Sequence, residues 1–119
     1  MTSEQAPSTD KVMAFETDAL KKHGVEYAPV PPRYHTPYFA HAFAGGYAAG
    51  YYAYIWSEVL ARDTEQWFHP HGGLQRANGE FLRAKMLSRG RSTNPERLFE
   101  QFYGGPPEIA PLLEHRGLK

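Results

Sequence analysis

Tyr52, Ile55, Trp56, Val59 and Leu60 recur at i, i+3, i+4, i+7 and i+8, the spacing of one face of an α-helix. This stripe predicts a central helix with Trp56 buried against a core. On nearly the opposite face, Tyr47, Tyr51, Tyr54 and Glu58 follow i, i+4, i+7 and i+11. A helix beginning at Gly45-Gly46 therefore has a second aromatic face. Upstream, Thr9 or Asp10 caps a helix running to about His23, with Val12, Phe15, Ala19 and Leu20 inward and Gly24 as the stop. Downstream, Asp63 and Gln66 have the spacing of a capping box for a short turn carrying Trp67 and Phe68. His69-Pro70-His71-Gly72-Gly73 then breaks the chain. A helix from about Gln75 to Ser88 turns Phe81, Leu82 and Met86 inward and ends by Gly90. Ser92-Thr93-Asn94-Pro95 is a start signal, with Pro95 at the first helical position. Leu98, Phe99 and Phe102 are its inward stripe, and Gly104-Gly105 its stop. A last short helix starts near Pro107 and runs through Ile109, Leu112 and Leu113 to Gly117. No strand-like alternation appears, so the predicted class is all-α, with about five helices.

Between the first helix and the tyrosines, residues 25–37 hold four prolines in thirteen positions. Proline fixes φ and removes a donor, which predicts an extended connector, with Tyr27, Val30 and Tyr34 lying against something. Residues 1–9 are read as a flexible polar leader and 10–119 as a single helical domain. The 119 residues carry thirteen Lys+Arg and thirteen Asp+Glu. That balance argues against a nucleic-acid binder, which needs a basic face. No apolar run reaches the length of a membrane span, and no secretory signal is visible, so the expected location is cytoplasmic. Without cysteine there is no disulfide, thiolate nucleophile or Cys-based zinc site.

Six histidines raise the question of a metal, but none is followed by Glu, so the helical His-Glu-x-x-His zinc signature is absent. His69 and His71 flank a proline, with no third ligand indicated, and read as solvated loop residues. No phosphate loop, dinucleotide fingerprint or nucleophile elbow is present. The tyrosines differ. Six of the eight lie between Tyr34 and Tyr54, together with Gly45, Gly46 and Gly50. Phenol hydroxyls at helical spacing form a row of neutral donors for carbonyl oxygens or a carboxylate, and near an activated carbonyl they can stabilise an oxyanion. Gly45 and Gly46 permit close backbone approach, and His41 adds a donor. By pattern alone, the simpler reading is that these rings pack between helices.

The run YFAHAFAGGYAAGYYAYIWSEVLARD resembles the Gly/Tyr-rich segment of the thimet oligopeptidase and peptidyl-dipeptidase (dipeptidyl carboxypeptidase) family of zinc metallopeptidases. FHPHGGLQRANGEFLRAKMLSRGRSTNPERLFEQF and EIAPLLEHRGL resemble that family's extreme C-terminus, so the similarity covers about residues 10–119. The resemblance implies peptide hydrolysis, with release of C-terminal dipeptides in the nearest branch. It implies that His41 and Tyr47 line a cleft and contact substrate. It also implies that Tyr51 and Tyr54 contact substrate or support the oxyanion, and that Gly45 and Gly46 belong to a loop that closes on peptide. Tyr47, Tyr54 and His41 thereby become candidate catalytic residues; His41, Gly45, Gly46, Tyr47, Tyr51 and Tyr54 become candidate substrate contacts. Gly105 departs from the pattern, since relatives usually carry Arg or Lys there.

In that family the His-Glu-x-x-His helix and the third ligand, a Glu, lie upstream of this segment. The expectation is therefore a chain with no metal ligands and no cofactor of its own, zinc belonging to the full-length family. Such a chain is inactive alone unless a partner chain supplies the zinc helix. The alternative is a non-catalytic peptide-binding or protein-interaction module that uses the tyrosine face. The expected partners are peptide, a zinc-bearing chain and further copies of itself as a homo-oligomer, with no nucleic acid and no membrane. Met1 and the polar leader fit either an expressed domain or a short natural gene.

Overall fold

The computed structural model describes residues 6–119. Of the leader expected to fray, residues 1–5 lie outside the described residues. The described residues contain six α-helices and three 3-10 turns, joined by loops, with no strand among them. The chain is all-α, as its periodicities predict. It divides into two compact units, one ending at Tyr51 and one from Tyr52 to Lys119.

In the first unit, a 3-10 turn at Thr9–Lys11 leads into α1 (Val12–Lys22). Gly24, at φ +68°, ends α1 in a Schellman closure. Its N–H donates to the Lys21 carbonyl, and the Val25 N–H donates to that of Leu20, both at 3.0 Å. The expected inward face is only partly realised. Val12, Ala19 and Leu20 are half-buried, while Phe15 is exposed. The reason is polar: the neighbour of α1 is a 3-10 turn (Thr36–Tyr38) held through the Glu16 carboxylate, not an apolar layer. Tyr27, Val30 and Tyr34, expected to lie against something, are all exposed, although Tyr27 borders a pocket beside α1. A one-turn helix, α2 (Ala40–Phe43), follows and accounts for the helix beyond the expected five.

The second unit contains α3 (Ala53–Phe68), α4 (Arg76–Lys85), α5 (Pro95–Tyr103) and α6 (Ala110–His115). The start of α5 is as predicted. Pro95 occupies the first turn, and Asn94 Oδ1 accepts the Glu96 N–H at 2.9 Å. Gly104 at φ +94° closes it. Leu98, Phe99 and Phe102 all point inward, and with Val59 and Leu112 they form the core. Trp67 stacks on Phe81 at 5.4 Å and leans on Phe102 at 4.7 Å.

Two expectations for α3 are overturned. Trp56 is 53% exposed, and Tyr52 and Ile55 are exposed too; only Val59 of that stripe is buried, with Leu60 half-buried. The helix turns Val59 and Asp63, one turn apart, into the core, so Trp56 borders a surface groove with Tyr52, Ile55, Pro107 and Ile109. Asp63 does not cap a separate turn. It sits inside an unbroken α3, fully buried, and its Oδ2 accepts the Glu108 N–H at 2.7 Å. An aspartate is used here as a distant backbone acceptor that ties the loop before α6 to α3.

Candidate functional site

The Gly/Tyr segment does not form one long helix. Residues 48–52 are turns, and α3 begins only at Ala53. The Gly50 N–H donates to the Tyr47 carbonyl at 2.7 Å. Gly46 adopts φ +80°, and Ala49 adopts φ +56°, a left-handed conformation that disfavours a side chain. The single helical face of Tyr47, Tyr51, Tyr54 and Glu58 is therefore replaced by two arrangements. Tyr54 and Glu58 remain one turn apart on α3, in the second unit. Tyr47 and Tyr51 belong to the first unit, where a turn brings them to His41.

His41 is carried by α2. Its ring meets Tyr47 edge-on at 5.2 Å and Tyr51 at 5.5 Å, and the two tyrosine rings lie 6.0 Å apart. Three ring contacts thus close a triangle, each edge-to-face, the favoured geometry for aromatic quadrupoles. Gly45 lies against this triangle. A Cβ there would stand 3.3 Å from the His41 carbonyl oxygen, and within 4 Å of the His41 and Tyr47 rings. A side chain at Gly45 would thus crowd the chain's own His41 backbone, and Gly46 supplies a positive φ.

Residues outside the sequence-derived set support this cluster. Phe39 places its ring 4.9 Å from Tyr51 and stacks on Tyr34 at 5.3 Å. Nearer α1, Glu16 accepts from His35 Nδ1 at 2.5 Å, from the Thr36 N–H at 2.6 Å and from the Thr36 hydroxyl at 2.7 Å. These bonds, the one from His35 foremost, pull the Glu16 carboxyl from 4.5 down to about 2. Nothing in spacing marks Glu16, nineteen residues from His35. Phe39 was legible only as one more aromatic.

In the second unit, burial pushes the Asp63 carboxyl up, against the Glu108 N–H bond that lowers it; the Glu108 charge adds to the rise. Burial likewise raises Tyr103, helped by the charges of Asp63 and Glu108. His71 stacks on Trp67 at 4.0 Å, and its Nδ1 hydrogen-bonds the Trp67 carbonyl at 2.6 Å. No three His, Asp or Glu side chains come together as a metal-holding group among the described residues. These residues do not fit a zinc centre, which needs at least three protein ligands.

The model of peptidase family M3 matches residues 1–118. The chain belongs to this family. Among its M3 relatives, the dipeptidyl carboxypeptidase of Escherichia coli is 50% identical over 115 residues, which is 97% of this chain and 17% of that protein. Oligopeptidase A of Escherichia coli is 44% identical over 106 residues, 88% of this chain and 16% of that protein. The thimet-like oligopeptidase of Dictyostelium discoideum is 35% identical over 74 residues, 62% of this chain and 11% of that protein. The chain thus spans about a sixth of the length of these M3 bacterial peptidases. No helix among the described residues is long and apolar enough to cross a membrane.

Proposed function

We propose that this chain is the substrate-contacting part of a peptidyl-dipeptidase-like zinc metallopeptidase that releases dipeptides from peptide C-termini. The supporting observation is the closed triangle of His41, Tyr47 and Tyr51 beside Gly45, in a member of family M3 half identical to a dipeptidyl carboxypeptidase. In this reading the Tyr47 phenol donates to the carbonyl oxygen under attack, where negative charge develops, and Tyr54 is a separate candidate donor in the second unit. His41 and Tyr51 hold the peptide, and Gly45 and Gly46 let backbone approach it. Zinc and the general base come from polypeptide other than these residues, and these residues alone are inactive unless that polypeptide supplies the zinc site. The reading takes the protein as cytoplasmic, which cell fractionation tests.

Titration of the isotope-labelled chain with tetra-alanine tests the binding role directly. Shifts concentrated at His41, Gly45, Gly46, Tyr47, Tyr51 and Tyr54 support it; no saturable shifts there overturn it. Zinc-dependent cleavage, with and without a chain carrying His-Glu-x-x-His, tests the division of labour. Cleavage by this chain alone would refute it.

A second reading, an interaction module, is favoured by the exposed apolar rim of Tyr52, Ile55, Trp56 and Ile109. Such a surface favours self-association or a partner chain. Sedimentation at micromolar concentration tests this surface: self-association supports the second reading, and a monomer with no affinity for a zinc-bearing chain counts against both.

A further inference from the structure

Phe39 holds the His41 cluster from two directions. Through its backbone, at φ −80° and ψ 65°, it starts α2: its carbonyl accepts the Ala42 N–H at 3.0 Å and the Phe43 N–H at 3.2 Å. Those bonds set the turn on which His41 rides. Through its ring, Phe39 meets Tyr51 edge-on at 4.9 Å and 68°. Tyr51 in turn contacts both His41 and Tyr47. The Phe39 ring is also stacked by Tyr34 at 5.3 Å and 25°, and the Arg33 guanidinium lies 5.3 Å from the Tyr34 ring centre. Phe39 is half-buried, whereas Tyr34 and His41 are exposed. It is therefore the ring best shielded from solvent in the series Tyr34, Phe39, Tyr51, His41.

We propose that Phe39 is a positioning residue for the peptide site: it fixes the Tyr51 ring and, through it, the orientation of the His41 imidazole. Phe39 does not touch peptide. The inference rests on the function proposed above for its consequence, but its geometric content can be measured without any peptide. A ring held edge-on by two tyrosines carries displaced proton resonances, and those displacements report ring placement directly. A site held to within a fraction of an ångström loses affinity when its supports are removed.

The experiment uses the full chain with carbon-labelled aromatic rings. Phe39→Ala is expected to move the His41 and Tyr51 ring resonances toward free-residue positions while helix content by circular dichroism stays unchanged. Phe39→Tyr, which keeps the ring, is expected to restore them, and Phe81→Ala, on α4, to leave them alone. Affinity for tetra-alanine is expected to fall about tenfold in Phe39→Ala and to recover in Phe39→Tyr. Should Phe39→Ala lose helix content, Phe39→Leu, which keeps apolar bulk without the ring, is read in the same way. Unmoved His41 resonances in a folded ring-less variant overturn the proposal. If the wild-type chain binds no tetra-alanine yet the His41 resonances move as expected, the peptide reading fails and the positioning of His41 by Phe39 stands.

Discussion

The contact joining α1 to the Thr36–Tyr38 turn rests on one carboxylate, and removing its charge isolates what that charge does. Glu16 accepts three hydrogen bonds at 2.5–2.7 Å, and its side chain is only 13% exposed. Its carboxyl lies at about 2 instead of 4.5. A depressed folded-state pKa stabilises the folded form above the unfolded value. That stability is lost as pH falls from about 4.5 through about 2. At about 1.4 kcal/mol per pH unit the difference amounts to about 3 kcal/mol at most. Solvent around exposed Thr36 screens the charge, leaving about 1–2 kcal/mol. Glu16→Gln is thus expected to destabilise the first unit by about 1–2 kcal/mol at pH 7 and to be nearly neutral at pH 2. Two assays read this without relying on a global unfolding curve. Hydrogen exchange of the α1 amides reports the local stability. The chemical shift of the Thr36 amide proton follows the carboxylate it donates to, so its titration midpoint is expected at about 2. A midpoint near 4.5, or identical α1 exchange at pH 7 in Glu16→Gln, would refute the reasoning.

Phe99→Ala, removing a ring that is 2% exposed, is expected to cost about 3–5 kcal/mol in denaturant unfolding, whereas Trp56→Ala is expected to cost under about 1 kcal/mol. Asp63 has the opposite sign to Glu16: its raised carboxyl contributes stability at low pH that is lost as pH rises through its folded value. Asp63→Asn is therefore expected to gain on the wild type as pH rises above about 4 in thermal melts, and parallel pH profiles would disprove a buried titrating carboxyl. Asn94→Ala removes the acceptor for the Glu96 N–H and is expected to cost about 1 kcal/mol by the same unfolding assay.

Where the sequence was legible, the signal was local. Asn94-Pro95 opens α5, and Gly104 closes it, because a side-chain oxygen, a fixed φ and a left-handed glycine act on residues next to them. The α5 stripe is buried as its spacing predicts, because Leu98, Phe99 and Phe102 leave only one way for a nine-residue helix to be buried. On α3 the same periodicity marks a face that the core only partly uses. Its sixteen residues carry aromatics on more than one side, and periodicity does not say which side meets α5 and α6. Asp63 made the ambiguity worse, since a carboxylate reads as a surface or cap residue unless its distant partner is known. That partner, the Glu108 N–H, is 45 positions away.

The candidate site shows the same division between residue type and arrangement. His41, Tyr47 and Tyr51 were picked out by composition and by family resemblance, and they do meet. The helical spacing used to connect Tyr47 with Tyr51 was not the cause. A helix would have put the two phenols one turn apart in a row, with His41 unconstrained by either. The turn at Tyr47–Gly50, with Ala49 held at φ +56°, instead folds the two rings edge-on around the imidazole. An alanine in the left-handed region persists only where its surroundings over-determine it. Here those surroundings are ring contacts on both sides of the turn, reaching through Tyr51 to Phe39. The strain at Ala49 and the support from Phe39 are therefore two parts of one device: the turn bends the chain so that the rings can meet, and the rings hold the bend.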